Sequence, residues 1–386
     1  MPDKFIQFHR PLITDDEINA VVATLKTGWL SMGPKTMQFE NEFNNYVNSK
    51  YSVAVNSWTA AGHLVLEAIG LSEGDEVVVP TMTFPATAEI ACYFKAKPIL
   101  VDVDPVTMNM TPENFEKAIT PRTKAVIPVH YAGQPCDMDE IMDIADKHNI
   151  TVLEDAAHAI PSTYKGKKIG SVSENTCFSF YATKTLTTGE GGMICTKNEE
   201  IANRTKLMRL HGINRDAWKR FNNTVKWEYE VVAPGHKYNL TDIAASLGLT
   251  QLAKTEQMFE RRKSIAEKYN AGFAGSELIE LPHIKEDRTT SWYLYTIRLN
   301  LDALKIDRAN FIYELEERGV GTGVHFMPVH RHQFYQDKLN IGPSHFEVAE
   351  SVYEQIVSLP IYPGLKDEEV DHVINTTQDL LKKYKK

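Results

Sequence analysis

The sequence predicts an α/β fold with a large, mostly parallel seven-stranded sheet between helices, and two observations predict it. Seven short apolar runs follow one another: YSVAV (51–55), EVVVP (76–80), PILVDV (98–103), KAVIPVH (124–130), TVLED (151–155), TCFSFY (176–181) and GGMICT (191–196). Helical patterns such as TAAGHLVLEAIG and DMDEIMDIADKHN lie between several of them. Near-continuous Val and Ile runs alternating with helices are the pattern of strands covered on both faces.

Ahead of the first run, TDDEINAVVATLKTG reads as a capped helix. Thr14 and Glu17 have capping-box spacing, Ile18, Val21, Val22 and Leu25 make one apolar face, and Gly28 is the stop signal. After about residue 250 the pattern changes. A long polar helix (QLAKTEQMFERRKSIAEKYNAGF) precedes the strand WYLYTIRL, and further helices are expected around 308–318, 346–357 and 367–382. These shifts divide the chain into a large α/β domain over 1–250, with the N-terminal helix, and a smaller α+β domain over 251–386.

Composition narrows the function. The chain has 386 residues, 42% hydrophobic and 24% charged, with a net charge of -9, which fits a globular protein and gives no basic footprint for nucleic acid. The only dense basic run is the terminal KKYKK, read as a frayed, solvated helix end. Cys92, Cys136, Cys177 and Cys195 have no CxxC spacing, so no metal site is signalled. The opening MPDKFIQFHR lacks the apolar stretch of a signal peptide, and the expectation is a cytoplasmic protein that does not insert in membranes.

Ligands of open parallel sheets bind beyond the carboxyl ends of the strands, and three groups of polar residues stand there. In NSWTAAGHL, Ser57 and Thr59 open a helix whose free N–H groups suit a phosphate, although Ser57 is equally an ordinary N-cap. In LEDAAHA, Asp155 ends a strand and His158 follows three residues later, on the same face if a helix begins there. An N-cap aspartate and a core histidine are the plain alternatives. In SFYATKTLTTGEGGMICT, Lys184 stands 29 residues after Asp155 at the next strand end. A desolvated lysine at that mouth can act as a Schiff-base nucleophile, whereas a lone lysine is more often solvated surface. Together the three match what pyridoxal phosphate requires: donors for a dianionic phosphate, an acid beside the pyridine nitrogen, and an amine for the aldehyde. Phe84, in PTMTFPAT, offers a flat face for the ring or else a packed core side chain.

At this point the chain resembles a known family. NSWTAAGHL, VVVPTMTFPATA, PILVDVDP, EDAAHA, SFYATKTLTTGEGGM, LRLHGINRDAWKR and PGHKYNLTDIAASLGLTQL, in that order, are similar to the DegT-type nucleotide-sugar aminotransferases of pyridoxal-phosphate fold type I. PRTKAVIPVHYAG, GHKYNLTDI and GVGTGVHF look nearest to the branch that forms UDP-4-amino-4-deoxy-L-arabinose for lipid A, a component of lipopolysaccharide. The resemblance implies the aspartate aminotransferase architecture and a cofactor bonded to Lys184, with Asp155 on the pyridinium nitrogen. His158, where many members have glutamine, would contact the ring's phenolic oxygen. Ser57, the Trp58 and Thr59 amides and Ser179 would hold the phosphate, and Phe84 would cover the ring. Trp58 stands where a small residue is usual. Asn239 would reach the phosphate of the neighbouring subunit in a homodimer with shared active sites. Tyr181, Glu190 and His325 would face the sugar nucleotide, with Arg215 on its diphosphate.

The implied activity is transfer of the amino group of L-glutamate to a keto sugar, foremost a 4-keto sugar, of a nucleoside diphosphate. A 3-keto acceptor and a cofactor-binding regulator are the alternatives. Sugar dehydration by relatives with histidine in place of the lysine is opposed by Lys184. A nicotinamide dehydrogenase is opposed by the lack of GxGxxG after an early strand.

Overall fold

The computed structural model describes residues 5–214 and 229–386. All seven runs are strands of one sheet: β1 (Tyr51–Val55), β2 (Glu76–Pro80), β3 (Lys97–Val101), β4 (Thr123–Val126), β5 (Thr151–Asp155), β6 (Asn175–Ser179) and β7 (Gly192–Thr196). Their order across the sheet is β1-β7-β6-β5-β4-β2-β3. β7 runs antiparallel to both neighbours, and the remaining pairs are parallel. The amino end of β7 therefore lies beside the carboxyl ends of β1 and β6, and brings Gly191 and Gly192 to the edge where ligands bind.

Side chains of successive strand residues point to opposite faces, and this alternation builds two cores. Val78, Phe178 and Met193 point to one, where Phe39, Phe43 and Phe180 pack with ring centroids 5.3 to 6.0 Å apart. Val77, Val79, Cys177 and Ile194 point to the other, against Leu64 and Ile90. Helices α1 (Asp15–Thr27), α2 (Pro34–Val47), α3 (Trp58–Ala68) and α4 (Pro85–Cys92) begin at sites the sequence marks. Thr14 and Glu17 form the capping box and Gly28 ends α1 at φ 72°, a left-handed conformation that costs glycine little.

The apolar stripe of α1 is not buried in this chain. Ile18, Val22 and Leu25 are exposed, while Glu17 and Thr24 face inward. The reason is the polar seat beneath: Glu17 accepts hydrogen bonds from Thr14, Gln251 and Lys254, so the helix turns its carboxylate to helix α5 (Asp242–Ala253).

The C-terminal residues build a second sheet, β8 (Ile279–Glu280), β9 (Tyr295–Leu299) and β10 (Ile356–Leu359), in the order β8-β9-β10. Helices α6 (Thr255–Phe273) and α7 (Asp367–Tyr384) cover it with Ile265, Tyr269, Val370 and Leu380, and Ile6 joins the same core. The helix expected to run to 357 stops at Gln355, because β-branched Ile356 and Val357 pair with β9 instead. Nor is the terminal KKYKK frayed. Lys386 N–H donates to Ala303, Lys305 N–H to Tyr384, and Lys383 pairs with Glu314. Among the described residues, no helix is long and apolar enough to cross a membrane.

One side chain ties α5 to the start of α2. The Asp242 carboxylate, 2% exposed, accepts from the backbone N–H groups of Gly33, Lys35 and Thr36 and from the Thr36 hydroxyl at 2.7 to 3.0 Å. It caps α2 from 206 residues away in sequence. Asp242→Ala strands these buried donors and is expected to lower stability by on the order of 3 kcal/mol; the shift of the urea or thermal midpoint measures it.

Candidate active site

The carboxyl ends of β1, β2, β5 and β6 open on a cleft of about 510 Å³. Ser57, Trp58, Thr59, Phe84, Asp155, His158, Ser179, Tyr181, Lys184, Glu190 and His325 all line it. Asn239 does not; it is buried beside β1, bridging Val55 and donating to its neighbour's carbonyl, Leu240. Arg215 lies outside the described residues. The cleft also takes Phe8, Thr87, Tyr293 and Phe326, which the sequence reading passed over.

Lys184 sits on a loop whose threonines explain the local composition. Thr187 Oγ1 donates to the Phe180 carbonyl, and Thr188 Oγ1 to that of Glu190. Phe180 and Gly191 are joined by a backbone hydrogen bond that closes the loop. The hydroxyls hold a turn without secondary structure, and Lys184 projects from it into the cleft, half-buried.

Asp155 is 5% exposed. Its carboxylate accepts from Thr87 Oγ1 at 2.9 Å and from Ala157 N–H at 3.1 Å. No helix begins there. The Ala157 contact is an aspartate turn, and two further turns carry the chain through His158 to Ser162. Burial lifts the Asp155 carboxyl to about 6, against the downward pull of both hydrogen bonds, Lys184 and His130.

His158 lies between two rings, Tyr293 at 4.2 Å and Phe326 at 5.8 Å, both close to parallel. It is 4% exposed, burial and then Lys184 hold its pKa well below the usual histidine range, and its Nδ1 has no hydrogen-bond partner. A buried, neutral imidazole with an unsatisfied nitrogen is costly unless a ligand atom completes it. His325 is also neutral, lowered to about 4 by burial and by Lys184. Its Nδ1 meets Ser358 Oγ at 3.0 Å and its ring stacks on Phe8.

The anion cradle forms where β1 turns into α3. Ser57 is the N-cap, its hydroxyl accepting from Ala60 N–H, so the plain reading of Ser57 holds and the helix start still faces the cleft. The Trp58 indole turns away into the core, 6% exposed, and donates to the Cys177 carbonyl at 3.1 Å. Its bulk leaves the cradle open. Gly192 permits this packing, since a Cβ there would stand 2.5 Å from the Ser57 carbonyl oxygen. Phe84 is 60% exposed at the mouth, which rules out the core alternative for it.

These residues fit pyridoxal phosphate: a helix start for the phosphate, a buried carboxylate that a ring cation would offset, an orphaned imidazole nitrogen and an amine. The carboxylate also gives a test without the cofactor. Its folded pKa is raised, so the buried charge costs stability as pH climbs from about 4 to about 6, and the cost persists above. In cofactor-free protein Asp155→Asn is therefore expected to raise the melting point at pH 8, by at most about 3 kcal/mol of stability, and to have no such effect at pH 4.

The chain matches the DegT/DnrJ/EryC1/StrS aminotransferase family over residues 11–378. It is 49% identical over 379 residues to the uncharacterized protein MJ1066 of Methanocaldococcus jannaschii, covering 98% of each chain. It is 44% identical to the spore coat polysaccharide biosynthesis protein SpsC of Bacillus subtilis, over 98% of this chain and 97% of that one. Among solved structures, the putative sugar aminotransferase Spr1654 from Streptococcus pneumoniae in its PMP form superposes with a TM-score of 0.93 at 36% identity, covering 98% of this chain and 99% of that chain. The same protein is known in a PLP form, with a TM-score of 0.92. A family match across nearly the whole chain, joined to a cleft of this composition, places the protein in the DegT/DnrJ/EryC1/StrS aminotransferase family, as a sugar aminotransferase dependent on pyridoxal phosphate.

Proposed function

We infer that the protein transfers the amino group of L-glutamate to a nucleoside-diphosphate keto sugar, foremost a 4-keto sugar, to make an amino sugar for a surface polysaccharide. The convergence of Lys184, Asp155 and the unsatisfied His158 in one cleft carries this reading. The name of SpsC agrees with a polysaccharide destination. The arabinose-forming branch gains no support from the similar proteins, so the acceptor is stated by class.

When bound, the cofactor supplies an aldehyde for amines and a ring that accepts an electron pair. The chain supplies the rest. Lys184 Nζ would hold the cofactor's aldehyde carbon and, as a free amine, would act as the base that moves a proton between the substrate carbon and that cofactor carbon. Asp155 would keep the ring nitrogen protonated, and His158 would contact the phenolic oxygen, its Nδ1 being without a partner. Ser57, the Trp58 and Thr59 amides and Ser179 hold the phosphate, while Phe84 covers the ring. Tyr181, Glu190 and His325 face the sugar nucleotide, with Arg215 on the diphosphate.

The functional unit in this reading is a homodimer. Ile18, Val22 and Leu25 form an exposed stripe on α1, continued by Trp29 and Leu30, and an apolar patch of this kind marks an interface. A second copy seated there leaves Asn239 to serve the cleft of its neighbour. Ile18→Glu combined with Leu25→Glu is expected to give monomers by sedimentation and to abolish activity; an unchanged dimer would count against this interface.

Incubation with L-glutamate and a panel of 4-keto and 3-keto nucleotide sugars, read by mass spectrometry, tests the acceptor. Amination of 3-keto sugars alone would move the site of transfer, and no amination of any would favour a regulator. Lys184→Ala is expected to lose turnover by at least roughly 10²–10⁴-fold and to leave no borohydride-trapped cofactor on the chain.

A further inference from the structure

Tyr293 has no assigned part in the reaction, yet both its hydroxyl and its ring contact the amine of Lys184. The contact begins with an unusual backbone. Trp292 has φ 51°, an outlier for a bulky residue and one that persists only when its surroundings enforce it. One group bonded to it is Arg262, 1% exposed and paired with no carboxylate among the described residues. Its Nη1 donates to the carbonyls of Trp292 at 3.3 Å and Ile361 at 2.7 Å. A buried guanidinium is expensive, and this one bonds the carbonyl of the residue before Tyr293 together with that of Ile361.

Tyr293 is in turn fixed on every side. Its N–H donates to Ser291 Oγ at 3.2 Å, and Ser291 Oγ donates to the His158 carbonyl. Its ring stacks on His158 at 4.2 Å. The amine of Lys184 lies 4.5 Å from the ring centroid and 3.4 Å from the hydroxyl, which also meets Thr183 Oγ1 at 3.1 Å. One side chain thus offers the amine both a hydrogen-bond acceptor and an aromatic face.

We propose that Tyr293 is a positioning residue for Lys184, holding the lysine amine beside the reacting centre whenever it is not bonded to the cofactor. This rests on the assignment of Lys184 made above. A lysine carries its amine on a flexible four-carbon stem, and a released amine must stay within reach of the substrate carbon to move its proton. Displacement by about 1 Å can cost on the order of 10²-fold in rate. Tyr293 limits that freedom at two points, through oxygen and ring.

The experiment uses cofactor-free full-length protein as wild type, Tyr293→Phe and Tyr293→Leu. Pyridoxal phosphate is added, bond formation at Lys184 is followed by absorbance, and the product is trapped with borohydride and located by mass spectrometry. Phenylalanine keeps the stack on His158 and removes only the hydroxyl. Tyr293→Phe is expected to melt like wild type, to form the Lys184 bond roughly 10- to 100-fold more slowly, and to lose kcat in parallel with KM for the donor unchanged. Wild-type rates in Tyr293→Phe, with impairment confined to Tyr293→Leu, would reduce Tyr293 to packing and overturn the proposal. If wild type itself traps nothing at Lys184, the assignment of Lys184 fails first and the proposal falls with it.

Discussion

A carboxylate held almost out of water at the carboxyl end of a central strand sets the terms for the rest of this molecule. Asp155 is surrounded by β6, α4 and the turn through His158, and only two hydrogen bonds compensate it. Burial dominates its ionisation, so the ionised carboxylate carries an electrostatic cost that a ring cation would relieve. Stability given up at such a position is characteristic of binding sites. The sheet makes the cost bearable. Parallel neighbours on both sides, and apolar cores on both faces, fix the strand end so firmly that the carboxylate cannot swing out to solvent.

The same economy governs the polar groups around it. His158 and His325 are both kept neutral by burial, which leaves hydrogen bonding and stacking as their contribution. Aromatic rings arrange them: Phe326, His158 and Tyr293 form a stack, with the amine of Lys184 against the Tyr293 ring. The stack draws on three distant stretches of chain, and Arg262 braces it from behind through the backbone of Trp292. Binding of a flat, anionic cofactor needs little rearrangement in a cleft so prepared, and low reorganisation is a large part of what an enzyme contributes.

Membership of an aminotransferase family and the exposed stripe of α1 also bear on each other. A helix with a capping box, a glycine stop and a row of Ile, Val and Leu would ordinarily bury that row in its own core. Here Glu17 occupies the inward face, bound to Lys254 and Gln251, and the apolar row is left for another surface.

The sequence alone determined the seven strands, the capped first helix and the carboxyl-end positions of Asp155, Ser179 and Lys184, because strand periodicity and cap chemistry are local and survive any packing. It also carried the cofactor, through residue types whose chemistry is specific in combination. It could not reveal Tyr293, which sits in WYLYTIRL and reads as one more apolar strand residue, nor Thr87, one threonine among several in TMTFPAT. It did not say where the apolar face of α1 turns, and it missed the strand after Gln355 and the turns that stand in place of a helix after Asp155. Each of those was decided by groups far away in sequence: Lys254 beneath Glu17, β9 beside Ile356, and Ser291 bonded to His158 and Ser162 in the turns after Asp155. Contacts of that kind follow from where elements meet in space, and only the folded chain decides that.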